Sequence, residues 1–259
     1  MAKRPKKKKS VKPKTKAITK PKAQGPDATK SHPWRLCPSG EHWVVTHPLH
    51  VPPSEKNPAG SLTTRSAHCH GNPSHKDSLY ADEISEIAQQ NFANLEGGPT
   101  PNNLGFKKGN DFDHLIRGWT KYWNEVFKPK EPLDPDLTKA LIATESGFRP
   151  DIIVKVGKTK NRARGLMQVT DESQKILGNP KSELKDQLVH VDQDDMSDPN
   201  QNICAGIRWL FRKKQIADIE AKRELTWLEA IQKYKAEKKG AKLINQVIDY
   251  YSKLKETPK

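Results

Sequence analysis

Cysteine, methionine and long apolar runs are all scarce in this chain of 259 residues. Three cysteines, Cys37, Cys69 and Cys204, are too few and too odd in number for the disulfide framework of a small secreted domain. No stretch approaches the roughly 18 apolar residues that cross a bilayer, so no membrane span is expected. Residues 1–30 also lack the apolar middle region of a secretory signal, and the chain is expected to be made in the cytoplasm. Hydrophobic residues at 33% fill one modest core but not two full ones.

Positive charge is plentiful, and most of it sits at one end. Lys+Arg 46 against Asp+Glu 31 leaves +15, yet residues 1–30 hold 12 Lys/Arg and the single acid Asp27, a balance of +11. The other 229 residues carry only +4, so the globular part is mildly basic and the whole is not a nucleic-acid binder by charge alone. Residues 1–30 form a Lys/Pro/Thr/Ala tract with almost no apolar side chain, expected to be disordered. Such a tail suits an anionic polymer, which Lys runs bind by counterion release, or serves solubility alone.

Residues 31–77 change composition to seven prolines, seven of the nine histidines and the tryptophans Trp34 and Trp43. Neither helical nor strand periodicity is sustained there, so an irregular segment is expected, with a docking role as one option. Cys37-x4-His42 and His68-Cys69-His70 could give four zinc ligands, though the spacing fits no standard finger. A Cys37–Cys69 disulfide or simple packing on the main domain competes with that reading.

Helical periodicity begins after Asp77. Ile84, Ile87, Ala88, Phe92 and Leu95 mark a helix before Gly97-Gly98, and Leu115, Ile116, Trp119, Tyr122, Trp123, Val126 and Phe127 mark a second before Pro129. Trp119, Tyr122 and Trp123 read as core at this spacing. Asp134-Pro135 and Asp198-Pro199 are cap-and-proline starts for a third and a fourth helix. The third carries Leu137 and Leu141 to Gly147. The fourth carries Ile203, Ile207, Leu210 and Phe211, with Gly206 allowing a close neighbour and Cys204 a small packing residue. Thr226-x-x-Glu229 is a capping box for a fifth helix, and Leu243, Val247, Tyr250, Tyr251 and Leu254 mark the last. The expected fold is mainly α, one main domain over residues 78–256.

Glu145 stands four residues after Leu141 and eight after Leu137, on the helix face that points to the core. Partial removal from water raises a carboxyl's pKa and suits it to general-acid chemistry, while position alone equally allows a boundary glutamate that reaches solvent or pairs with Arg149. Its surroundings carry more: Glu145-Ser146-Gly147-Phe148-Arg149-Pro150, then Ala163-Arg164-Gly165-Leu166-Met167-Gln168-Val169, then Asp198-Pro199-x-x-Asn202-Ile203-x-x-Gly206-x-x-Trp209-Leu210. With a weaker block, Glu229-Ala230-Ile231-x-x-Tyr234-Lys235-Ala236, this string over residues 134–254 resembles the lytic transglycosylases of the soluble (SLT) type.

That resemblance implies a lysozyme-like (α+β) domain over residues 134–256, with 78–133 as the helical N-terminal part of the main domain; it cleaves the MurNAc-β-1,4-GlcNAc bond of peptidoglycan and leaves a 1,6-anhydromuramoyl product, with no cofactor and no metal. It makes Glu145 the catalytic acid and base. Ser146, Gly165, Leu166, Met167, Gln168 and Tyr234 become the substrate-binding set, with the methionine packed beneath the groove and the tyrosine orienting the glutamate. Lys235 stands where the family carries asparagine, and Lys155–Arg162 lengthens the connection to the Gly-Leu-Met-Gln block, as a basic flap at the groove rim. Asp151, Asp171 and Glu172 are the candidates for a second carboxylate, which would make a hydrolase like goose-type lysozyme. The other alternative is a non-catalytic glycan- or partner-binding module with an anion-binding tail. As a wall enzyme the chain would act in the periplasm after non-classical export or phage delivery, with residues 31–77 docking to a secretion machine or phage particle.

Overall fold

The computed structural model describes residues 29–235 and 240–256, so the expectation for the basic tail falls almost wholly outside the described residues. In chain order the elements are β1 (Glu41–Val44), β2 (His47–Val51), β3 (Ser61–Arg65), β4 (His68–Gly71), β5 (Ser78–Tyr80), α1 (Ala81–Asn91), α2 (Asp113–Phe127) and α3 (Pro135–Ser146). They continue with β6 (Ile153–Lys155), β7 (Arg162–Arg164), β8 (Val169–Thr170), α4 (Asp171–Leu177), β9 (Leu188–His190), α5 (Pro199–Ala221), α6 (Trp227–Tyr234) and α7 (Gly240–Lys255). No helix among the described residues is long and apolar enough to cross a membrane.

The helices start where local chemistry tells them to. Asp134 accepts the Asp136 amide at 2.9 Å ahead of Pro135, and Asp198 accepts the Gln201 amide at 2.9 Å ahead of Pro199. Thr226 and Glu229 cap α6 reciprocally. Helix α5 is the central element, packed against α1, α2, α4 and α6, while α3 packs against α2 and α7. Trp119, Tyr122 and Trp123 are all fully buried, as their spacing predicts. The indole N–H groups of Trp119 and Trp123 donate to Asn200 Oδ1 at 2.7 Å and to the Cys204 carbonyl at 3.0 Å, so these rings enter the core without an unpaired donor. Cys204 is itself buried, and burial pushes its thiol up, which suits packing rather than nucleophilic chemistry.

Residues 31–77, expected to be irregular, hold two antiparallel pairs, β1 with β4 and β2 with β3. Their strands are four or five residues long, and neither face of β2–β3 is buried, so no alternation of apolar and polar side chains marks them. A Cys37–Cys69 disulfide joins β4 to the turn before β1. The segment is bound to the helices through Arg35 and Glu83, which are 1% and 0% exposed: Arg35 Nε donates to Glu83 Oε1 at 2.6 Å and Nη2 to Oε2 at 3.0 Å. The same guanidinium donates to the carbonyls of Glu41 and Ser78, while Glu83 also accepts the amides of Leu36 and Trp43. Thus one residue of α1 gathers three separate stretches of chain.

Further along, β5 pairs in parallel with β9, 110 residues later, and Tyr80 stacks between His42 and His190 at ring separations of 3.9 and 4.3 Å. His32, 2% exposed, reaches Glu125 of α2 at 2.9 Å. Burial holds His32, His42, His114 and His190 below the ordinary value of 6.5. A histidine whose folded pKa is depressed binds its proton first in the unfolded chain, so its contribution to stability is complete above 6.5 and falls as pH drops toward the folded value. The melting temperature is therefore expected to fall as pH is lowered from about 8 to about 5, read by thermal unfolding in buffers of equal ionic strength. A melting temperature that rises over this range would contradict the sign.

Candidate active site

Helix α3 ends at Gly147, whose φ of 58° closes the helix in the left-handed conformation, and this puts Glu145 in its last turn. Leu137 and Leu141 below it are buried, while the Glu145 side chain is 15% exposed. Burial pushes its carboxyl above the ordinary carboxylate range, against the opposing pull of an ammonium. That ammonium is Lys235, at the end of α6: Nζ lies 2.8 Å from Glu145 Oε1 and donates to Thr144 Oγ1 at 2.9 Å.

Facing this pair is the turn between β7 and β8. Gly165 has φ of 70°, and a Cβ on it would lie 2.3 Å from Asn202 Nδ2 and from the Met196 carbonyl oxygen, so only glycine fits. Leu166 and Met167 are fully buried beneath the turn, and Gln168 folds back to donate from Nε2 to the Gly165 carbonyl at 2.9 Å. Asn202 of α5 braces the whole: its Oδ1 accepts the Met167 amide at 2.8 Å, and its Nδ2 donates to the carbonyls of Arg164 and Met196, each at 3.0 Å. Gly206, one turn on, leaves room for Met167, whose Sδ would be 2.5 Å from a Cβ there. Two consecutive residues then join the halves of the site. Tyr234 donates from its hydroxyl to the Met167 carbonyl at 2.6 Å, and Lys235 holds Glu145.

The description Transglycosylase SLT domain matches residues 122–254, just over half of the chain. The chain belongs to this family. Its fold is lysozyme-like, and membership implies a lytic transglycosylase with peptidoglycan as substrate. No curated protein and no solved structure matches the chain.

Within the SLT domain the residues expected in the site divide by what they touch. Gln168 and Tyr234 bond to the Gly165 turn, and Glu145 is close enough to Tyr234 to act on its phenol. Leu166 and Met167 have no surface to offer a sugar and serve packing, and Ser146, 2% exposed, spends its hydroxyl on the Ile142 carbonyl at 3.2 Å. Tyr234 donates to the turn, and burial and then the nearby Glu145 push its phenol well above the ordinary range. Asn202 and Lys235, which bond to the turn and to Glu145, were absent from the expected set. The first stood inside a quoted motif, and the second was visible as a charge in place of the family's asparagine.

The connection expected as a basic flap is the β6–β7 hairpin, with Lys155, Lys158, Lys160 and Arg162 all exposed. A cleft of about 570 Å³ runs between it and α4. Asp171 and Glu172 are bound into this hairpin: Asp171 accepts Arg164 Nε at 2.8 Å and the Arg162 amide at 3.1 Å, and Glu172 accepts Asn161 Nδ2 at 3.2 Å. Asp151 is exposed. Metal ligation by residues 31–77 loses both of its sulfurs to the Cys37–Cys69 bond. Among the described residues no three His, Cys, Asp or Glu side chains converge as a metal site.

Proposed function

We propose that the chain cleaves the MurNAc-β-1,4-GlcNAc bond of peptidoglycan by lytic transglycosylation, with Glu145 as its one acid and base. The supporting observation is the junction in which Tyr234 holds the Gly-Leu-Met-Gln turn and Lys235 holds a largely buried carboxyl at a helix end. Protonated Glu145 gives its proton to the glycosidic oxygen, the C1–O bond breaks, and the bonding pair leaves on the O4 oxygen of N-acetylglucosamine. Glu145, now a carboxylate, takes the proton of the muramoyl C6 hydroxyl as O6 closes on C1. The carboxyl ends as it began, and no water enters. An internal nucleophile is already near C1 and needs no second carboxylate to hold water, in keeping with Asp171 and Glu172 being engaged elsewhere. Gln168 and the turn backbone would line the sugar, with Gly165, Leu166 and Met167 shaping that surface and Ser146 closing the helix behind it.

Peptidoglycan lies outside the cytoplasmic membrane, so this reading carries delivery across it, by export or by a phage particle. A disulfide suits such an oxidising destination. The second reading is a glycan-binding module without catalysis, favoured by the ion pair itself, since a carboxylate beside an ammonium tends to stay ionised. Mass spectrometry of soluble products from purified peptidoglycan separates the outcomes. Anhydromuropeptides are expected. Reducing muropeptides would replace lytic transglycosylation with hydrolysis, and no release by folded protein would favour the binder.

A further inference from the structure

Lys235 is 4% exposed at its side chain, and its ammonium is tied at two points, Glu145 Oε1 at 2.8 Å and Thr144 Oγ1 at 2.9 Å. Both partners belong to the last turn of α3, while the lysine closes α6 directly after the tyrosine that carries the Gly-Leu-Met-Gln turn. We propose that Lys235 is a positioning residue for the lytic reaction, which fixes the Glu145 carboxyl and lowers the pH up to which the acid step runs; this rests on the reading of Glu145 as the acid.

The physical basis is the charge change in the first step. Before it the pair is a neutral carboxyl beside an ammonium, and after it a carboxylate beside the same ammonium. The ammonium therefore stabilises the state Glu145 reaches on giving up its proton, which makes it a stronger acid and lowers the pH below which it still holds that proton. An asparagine at this position, as the family carries, supplies a hydrogen bond but no charge. Burial works in the opposite direction, and the balance of the two sets the working range.

Other charged groups on the packed elements are engaged away from the carboxyl. On α6, Tyr234 is neutral and bonded to Met167. Helix α7 brings Lys255 and Tyr251 to Asp134 and Asp136 at the opposite end of α3, a rise of about 13 Å from Glu145, and carries the exposed Lys242 near its start. Helix α2 brings Asp113 to Lys139, a rise of about 9 Å away. On the turn side Arg164 is paired with Asp171, and beyond the helix Arg149 donates to the Ser146 carbonyl. Among the described residues Lys235 is thus the charge in direct contact.

The test compares wild type, Lys235→Met and Lys235→Arg in the full chain, with circular dichroism to confirm folding. Two readouts are taken: release of muropeptides from purified peptidoglycan against pH, and titration of the Glu145 carboxyl followed by carbon-13 NMR, its resonance assigned with Glu145→Gln. In Lys235→Met the alkaline limb of the activity profile and the carboxyl midpoint should both rise by about one pH unit or more, and Lys235→Arg should restore both. A limb and a midpoint that stay at the wild-type pH, even with a lower rate, would overturn the proposal and leave a structural lysine. If the wild type releases nothing at any pH while the midpoint still moves in Lys235→Met, the lytic reading has failed, the acid-step proposal goes with it, and the electrostatic pairing alone survives.

Discussion

Glu145→Gln should lower the release of anhydromuropeptides from purified peptidoglycan by about 10²- to 10⁴-fold, the range that a positioned general acid and base contributes. Glutamine keeps the shape of the side chain and an oxygen that can still accept from Lys235 Nζ, so the junction between α3 and α6 should persist. It holds no transferable proton at any working pH. The loss should thus appear with little change in melting temperature, which separates it from unfolding. The measurement is mass spectrometry of products at matched protein concentration, alongside thermal unfolding of both proteins. A glutamine variant within a few fold of wild type would remove Glu145 from the chemistry and direct attention to Asp151, the exposed carboxylate near the turn in sequence.

Replacing Glu83 with alanine should cost about 3–5 kcal/mol of stability, although the residue is far in sequence from every motif of the family. Glu83 is completely buried and bidentate to Arg35, which is 1% exposed. Removing the carboxylate leaves a guanidinium in the interior bonded to the carbonyls of Glu41 and Ser78, with Asp77 Oδ1, 3.8 Å from Nη1 and beyond hydrogen-bond reach, to offset its charge, and also strips two amides of their acceptor. Urea unfolding gives the number, from midpoints at constant slope. The double variant Arg35→Met/Glu83→Met should recover much of the loss, because an apolar pair avoids the stranded charge. A loss under about 1 kcal/mol for Glu83→Ala would mean that the first strands are not integral to the folded unit.

How far the chain could be read in advance follows from the range of each signal. The start of α3 at Asp134-Pro135, its stop at Gly147 and the capping box of α6 are written within four or five residues, and each stands where expected. The core face of α2 follows from its period. By contrast β5 and β9 are three residues each and lie 110 apart, a pairing that no local pattern announces. Strands β2 and β3 carry no such pattern because a β-pair with both faces wet needs no alternation, and β1 and β4 are only four residues long. At the site, Glu145 and the Gly165 turn were legible as motifs. Their bracing was not: Asn202 reaches Met167 across 35 positions and Lys235 reaches Glu145 across 90, and such contacts are set by how helices pack.

The region shared with the family begins at Tyr122, in the middle of α2, yet strand β9 inside that region finds its hydrogen-bonding partner in β5, outside it. Helix α1, also outside, packs on α5, whose Asn202 braces the turn opposite Glu145. The part that evolution shares and the part that must be made together are therefore different lengths of polypeptide. A chimera cut at the family boundary would split a helix, strip a strand and uncover the flank of the helix that braces the Gly165 turn, whereas one cut ahead of Thr29, whose carbonyl accepts the Ser39 amide, would carry the site with its frame.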